Sequence, residues 1–187
     1  MNLKDIKGDF KELYGGCILV DIVDEDSIFE TYKNAICINE KYYNYRHKPK
    51  YNFDSLEDLY EEIEKCKENN IPRLILVTNM RELLKDKTIN EEYNIVNNLK
   101  SIINNTNISI GMIFKINDGI KIDNCDKKLL HFVHQSTSGE NGSHAIMYNS
   151  NYITIVKKYI SEDFKSYDFK YNTIKNIPND KYEKMKR

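Results

Sequence analysis

The chain has 187 residues, 40% of them hydrophobic and 30% charged, with a formal net charge of −1. That is enough apolar material for the core of one domain and too little for a membrane protein, since no apolar run approaches the ~20 residues a spanning helix needs. Near-neutral charge argues against a strongly electrostatic nucleic-acid binder, and the start from Met1 to Ile6 has no apolar h-region, which points to the cytoplasm.

Residues 3–14 read as a short amphipathic helix ending at Gly15-Gly16. Cys17 to Val23 is β-rich and almost continuously apolar, the pattern of a central strand covered on both faces. Asp24-Glu25-Asp26 closes it. Ser27 with Glu30 makes a capping box for a helix from Ile28 to about Tyr43. Tyr42 to Tyr51 interleaves aromatics with cations; it reads as a solvated basic loop ending near Pro49, or as a surface for stacking bases. A second helix runs from about Leu56 to Asn69, with Leu56, Leu59, Tyr60, Ile63 and Cys66 as its apolar stripe. Ile71-Pro72 ends it, and Leu74 to Val77 forms a second buried strand. A third helical region spans Met80 to Asn104 with a break near Lys87-Thr88, and Asn104 to Asn107 is a turn.

Ile108 to Ile116 is a third strand, and Asn117-Asp118-Gly119 reads as a hairpin turn into Ile120–Ile122. Residues 129–135 and 144–148 read as strands flanking a loop from Thr137 to Ser143. Tyr152 to Val156 is a further strand, and Tyr167 to Tyr171 another. The pattern specifies a single α/β (or α+β) domain over residues 1–175, a mixed central sheet flanked by helices and a strand-rich second half. Residues 176–187 form a polar tail.

Four cysteines (Cys17, Cys37, Cys66, Cys125) stand far apart with no CxxC pair, so neither a zinc knuckle nor a disulfide framework is expected. Three of the four histidines, His131, His134 and His144, fall in one stretch with Gly139 and Gly142. Cys125, His131, His134 and His144 make a weak metal set, because His131 and His134 point to opposite faces of an extended strand. We expect no metal and no cofactor. The abundance of Asn, Lys, Ile and Tyr matches the coding bias of an AT-rich genome.

A nucleophilic cysteine needs a base, and the base needs an orienting group. Cys17 follows the Gly15-Gly16 turn, where backbone amides are available to stabilise an oxyanion. His144 is the candidate base, with Asn151 or Asp163 (or Asn149) as orienter. A cysteine first, then a histidine more than a hundred residues later at an apparent strand start, resembles papain-like cysteine peptidases, in particular their bacterial peptide-processing and cell-wall branches. The residues carrying this are Gly142-Ser143-His144-Ala145-Ile146-Met147-Tyr148, and the resemblance covers about 25 residues. It implies a thiol hydrolase acting on a peptide or protein. The chain departs from that family in two respects: Ile18 to Val23 reads as a strand where those enzymes start a helix, and the usual Asp-Pro or Asn after the second strand is missing from its expected place.

Thr137-Ser138-Gly139-Glu140-Asn141-Gly142-Ser143-His144 is also similar to the Thr-Ser-Gly-x-x-Gly-x-His signature of archaeo-eukaryotic-type primases. That likeness implies a loop holding nucleotide phosphates, with Asp24 and Asp26 as metal-binding carboxylates and Asp163 or Asp168 as a third. Ser136-Thr137-Ser138 also matches the Ser-Thr-Ser of ADP-ribosyltransferases, but the downstream Glu-x-Glu is missing, Ser161-Glu162-Asp163 being the nearest segment. Three functions stay open: a thiol hydrolase using Cys17, His144 and Asn151 or Asp163; a non-catalytic immunity or mobile-element accessory protein whose loop (Ser136, Thr137, Ser138, Gly139, Gly142) recognises a partner; and a nucleotide-binding, primase-like domain. A membrane partner is not expected and a nucleic acid is disfavoured.

Overall fold

A computed structural model describes residues 16–23, 31, 52–70, 73–115, 133–134, 136–138, 142–160 and 167–175, with the backbone alone for 73, 157–160 and 167–175. The helices expected over 3–14 and 28–43, the hairpin at Asn117–Gly119 and the tail at 176–187 lie outside the described residues.

Five strands form one sheet: β1 (Ile18–Val23), β2 (Arg73–Val77), β3 (Ile108–Lys115), β4 (Tyr152–Ile160) and β5 (Tyr167–Lys175). Their spatial order is β2-β3-β1-β4-β5. β1 runs parallel to both β3 and β4, and β2 runs parallel to β3, while β5 closes the edge antiparallel to β4. The fold is therefore α/β with a mixed sheet, as the sequence predicts. The chain leaves β1 for the far edge at β2, returns to β3, and crosses β1 to reach β4. β1 is thus the central strand, with β3 and β2 added on one side of it and β4 and β5 on the other.

The near-continuous apolar runs follow from this topology, because parallel strands are covered on both faces. Ile18, Val20 and Ile22 of β1 share one face with Ile110, Met112 and Phe114 of β3. On that face they join Leu59 and Ile63 of α1 (Leu56–Glu68), Val96, Leu99 and Ile103 of α3 (Ile89–Ile103), and Ala145 to Met147 of α4 (Ala145–Asn149) in a single core. On the other face Leu19, Asp21, Val23, Leu76, Ile113, Thr154 and Val156 are buried too.

Local chemistry sets the helix ends. Ser55 caps α1, its hydroxyl accepting from the Asp58 N–H at 3.2 Å. The helical region expected over 80–104 divides into a single turn, α2 (Met80–Leu83), and α3. Thr88 causes the break with a capping box: its hydroxyl accepts from the Glu91 N–H at 3.3 Å, and the Glu91 carboxylate accepts from the Thr88 N–H at 2.8 Å. Those bonds hold the Glu91 carboxyl below its ordinary range.

Two expectations are corrected. Residues 144–148 are helix α4 with His144 as its N-cap residue, and Val133 and His134, expected in a strand, are helical. Ala145, Ile146 and Met147 are all buried, which a lone exposed strand would not achieve, and the Ser143 hydroxyl accepts from the Ala145 N–H at 3.1 Å at the helix start. A five-residue helix is too short to show a 3.6-residue period, so its apolar residues read equally as a strand.

Candidate functional site

The described sequence-predicted residues fall into two groups, Cys17 with Asn151 and His144 with His134. Cys17 stands at the amino ends of the strands. Gly16 before it has φ of 75°, a backbone conformation that strains any side chain, and a Cβ there would sit a tight 3.3 Å from the Ile103 carbonyl oxygen. The α3–β3 turn approaches β1 this closely because Gly16 N–H donates to the Ile108 carbonyl at 2.8 Å. Cys17 N–H donates to the Ser109 hydroxyl at 3.1 Å, and Ile18 N–H to the Asn151 side-chain oxygen at 3.0 Å. The Lys100 ammonium, from the last turn of α3, donates to the same Asn151 oxygen. Asn151 N–H donates back to the Ile18 carbonyl at 2.8 Å.

This overturns the expectation that amides around Gly15-Gly16-Cys17 serve an oxyanion. The N–H groups of Gly16, Cys17 and Ile18 are all committed within the fold. The half-buried thiol is also not activated: burial pushes it above its ordinary value by more than the Lys100 charge pulls it down. Asn151, expected to orient His144, bonds instead to the Ile18 N–H and to Lys100.

His144 stands elsewhere. α4 packs along α3, Tyr148 meeting Tyr93 with ring centroids 6.4 Å apart, and leads into Asn151 at the amino edge. The His144 ring lies on that of His134, with centroids 3.5 Å apart and planes 13° from parallel, and against Tyr148 at 5.5 Å. His134 Nε2–H donates to the Gly142 carbonyl at 2.9 Å. Gly142 has φ of 71° with nothing within 4 Å of where a Cβ would stand, so its glycine answers a turn conformation rather than a close approach.

The segment carrying His134 is tied to the carboxyl end of β3 by Arg81 of α2. This guanidinium lies 5.5 Å over the Phe114 ring and donates to the Lys115 carbonyl at 3.2 Å and to the Ser136 carbonyl. Burial lowers its pKa from the ordinary arginine value, and Glu82 works the other way; it remains a cation at neutral pH. Beside it, Thr78, Arg81, Glu82, Phe114 and Lys115 line a hollow at the ends of β2 and β3. Asn79 fixes the loop on its far side, accepting from Phe53 N–H at 3.3 Å and donating to the Phe53 carbonyl at 2.8 Å.

The loop hydroxyls divide by use. The Thr137 hydroxyl donates to the Val133 carbonyl at 2.8 Å, closing a helical turn, and Ser143 caps α4. Ser136 is fully buried, and among the described residues its hydroxyl has no hydrogen-bond partner. Gly139 and Asp163, with Asp24, Asp26, Cys125 and His131, lie outside the described residues. Among the described residues no group of three or more His, Cys, Asp or Glu could hold a metal ion. The stacked His134 and His144 rings lie face to face rather than converging their nitrogens on one point. Among the described residues no helix is long and apolar enough to cross a membrane.

Two residues escaped sequence reasoning. Lys100 looks like any solvated helix cation until the end of α3 meets the strand starts. Arg81 sits in a Met-Arg-Glu-Leu turn whose only signal was its place just after an apolar strand. No protein-family model matches the chain, and no curated protein shows significant sequence similarity to it.

Proposed function

We propose that the chain is a cytoplasmic, non-catalytic nucleotide-binding domain that takes its ligand at the carboxyl edge of the parallel strands. One observation carries the reading: the Ser136 hydroxyl, fully buried and, among the described residues, without a hydrogen-bond partner, in the segment that Arg81 draws to the end of β3. A buried hydroxyl without a partner costs roughly 1–3 kcal/mol, so a site that retains one is suited to an external acceptor such as a phosphate oxygen. Two fold-level considerations support it. Open α/β sheets bind ligands beyond the carboxyl ends of their strands where the strand order reverses, which here is around β1 and its neighbours. The loop from Thr137 to His144 is also the part similar to a phosphate-holding signature. Arg81 and Lys115 supply positive charge beside the hollow, with Glu82 opposing it. The papain-like reading has less support, since the Cys17 thiol is not activated and its neighbouring amides are occupied.

Titrating the chain with ATP and GTP by calorimetry tests this, with Ser136→Ala as the informative variant. Losing a hydrogen bond to a charged oxygen removes about 1.5–3 kcal/mol, a roughly ten- to hundredfold weaker Kd. Without ligand the same variant is expected to be as stable as the parent, or up to ~1 kcal/mol more so, because the lost hydroxyl had no partner. Absence of nucleotide binding at about millimolar concentration, or equal affinity in Ser136→Ala, rejects the proposal.

A further inference from the structure

The hollow at the ends of β2 and β3 has a size and a charge, and together they limit what it can hold. Its volume is about 90 Å³. A site that encloses a whole small ligand takes roughly 300–1,000 Å³, and a water molecule takes roughly 30 Å³ of the liquid. The hollow therefore admits one phosphoryl group and leaves the sugar and base outside. Its charged lining is Arg81, Lys115 and Glu82, two cations and one carboxylate, which leave a single net positive charge.

Arg81 is fixed before any ligand arrives. Its guanidinium lies 5.5 Å over the Phe114 ring and donates to the Lys115 and Ser136 carbonyls. A cation already held in place loses little freedom when it meets an anion. Ser136, the residue it holds, carries the buried hydroxyl that has no hydrogen-bond partner among the described residues. That hydroxyl suits an oxygen acceptor, independently of the charge of the hollow. Glu82, exposed on the next residue of α2, lines the same hollow, and its charge acts on Arg81.

Building on the nucleotide site proposed above, we infer that the hollow prefers a phosphodiester, so that the nucleotide it takes carries its phosphate as a diester with a single negative charge. A phosphomonoester carries roughly −1.5 to −2 at pH 7. That is more charge than the lining neutralises, and Glu82 repels the excess. A triphosphate brings more still. A diester matches the lining charge for charge. It keeps two unesterified oxygens, both acceptors, one for the Ser136 hydroxyl and one for the cations. Glu82 sets the preference. Each unit of uncompensated charge about 4 Å from it costs about fivefold in affinity at a solvent-exposed site.

Calorimetric titration of the full chain at low ionic strength tests this with four probes: 3′,5′-cyclic AMP, the dinucleoside monophosphate ApA, AMP and ATP. At least one of the two diesters is expected to bind about fivefold or more tighter than AMP, and ATP more weakly than AMP. The tighter diester tells whether the phosphate comes from a cyclic or a linear nucleotide. Glu82→Gln removes the opposing carboxylate at an exposed position and should narrow the diester-to-AMP ratio about fivefold, whereas Lys115→Gln should widen it. Equal affinities for AMP and both diesters, tighter binding of ATP, or an unchanged ratio in Glu82→Gln overturns the diester preference and leaves a nucleotide site standing. Failure of all four probes to bind at about millimolar concentration rejects the nucleotide site itself, and the preference with it.

Discussion

The two ends of the sheet solve the same problem in opposite ways. At the amino edge, Gly16, Cys17 and Ile18 each place a main-chain N–H on an acceptor, and the Asn151 oxygen serves two donors at once. At the carboxyl edge the ties are fewer and longer in reach: one guanidinium holds two carbonyls, a ring pair holds the loop, and the Ser136 hydroxyl is left over. An edge whose polar groups are mutually satisfied contributes stability, whereas one that buries an unused hydroxyl beside a cation is prepared for something external. The two edges should therefore respond differently to substitution, with the amino edge failing in stability and the carboxyl edge failing in binding.

The largest effect is expected from Asn151→Ala. It strands the Ile18 N–H and the Lys100 ammonium together, and two donors losing their acceptor cost about 2–4 kcal/mol. Urea denaturation should show that loss with an unchanged slope, while nucleotide affinity per folded molecule stays at the parent value. A loss below ~1 kcal/mol would mean that Asn151 is not the tie described, and a parallel loss of affinity would merge the two edges into one functional unit.

How far the contrast could be read in the sequence depends on how local its causes are. β1, β2 and β3 were legible because strands covered on both faces need unbroken apolar runs, and α1 because its apolar stripe repeats at helical spacing, whereas α3 was read only as part of one helical region broken near Lys87-Thr88. Asn151 drew notice only as a group to orient His144, and neither its bond to Ile18 nor its partner Lys100 was anticipated. Lys100 is separated from Asn151 by 51 positions, and only the packing of α3 against the sheet joins them. α4 was misread because five residues cannot display a helical period, and its helicity comes from burial against α3. The importance of Ser136 depends on a burial and a missing partner that no linear pattern encodes, although the small-residue loop that contains it stood out at once.

A smaller effect is expected from His144→Ala, which sharpens the account of the carboxyl edge. It removes the stack on His134 and the contact with Tyr148, worth about 1 kcal/mol of stability. If the ring pair positions the loop, nucleotide affinity falls several-fold as well, and His144→Phe, which preserves a flat stacking surface, restores most of it. Loss of stability with affinity intact would make the pair simple packing and would leave Arg81 as the element that positions Ser136.

The smallest effect concerns pH and separates the two nucleophiles of the amino edge. Burial holds the proton on the Cys17 thiol more tightly in the folded chain than at its ordinary 9.0, so this contribution to stability is intact below pH 9.0 and is lost as pH rises through the folded value. Lys100 behaves in reverse. Its ammonium is disfavoured by burial relative to its ordinary 10.5, the unfolded chain binds the proton more tightly, and stability rises with pH from the folded value up to 10.5. The two slopes oppose each other above pH 9.0, so the parent chain should vary little there. Cys17→Ala should leave only the rise and Lys100→Met only the fall, each below about 1 kcal/mol because both side chains still meet solvent. Urea midpoints measured across this alkaline range decide the matter. Slopes of the same sign in the two variants would show that the thiol and the amine are not opposed across Asn151, and the amino edge would then be held by its main-chain bonds alone.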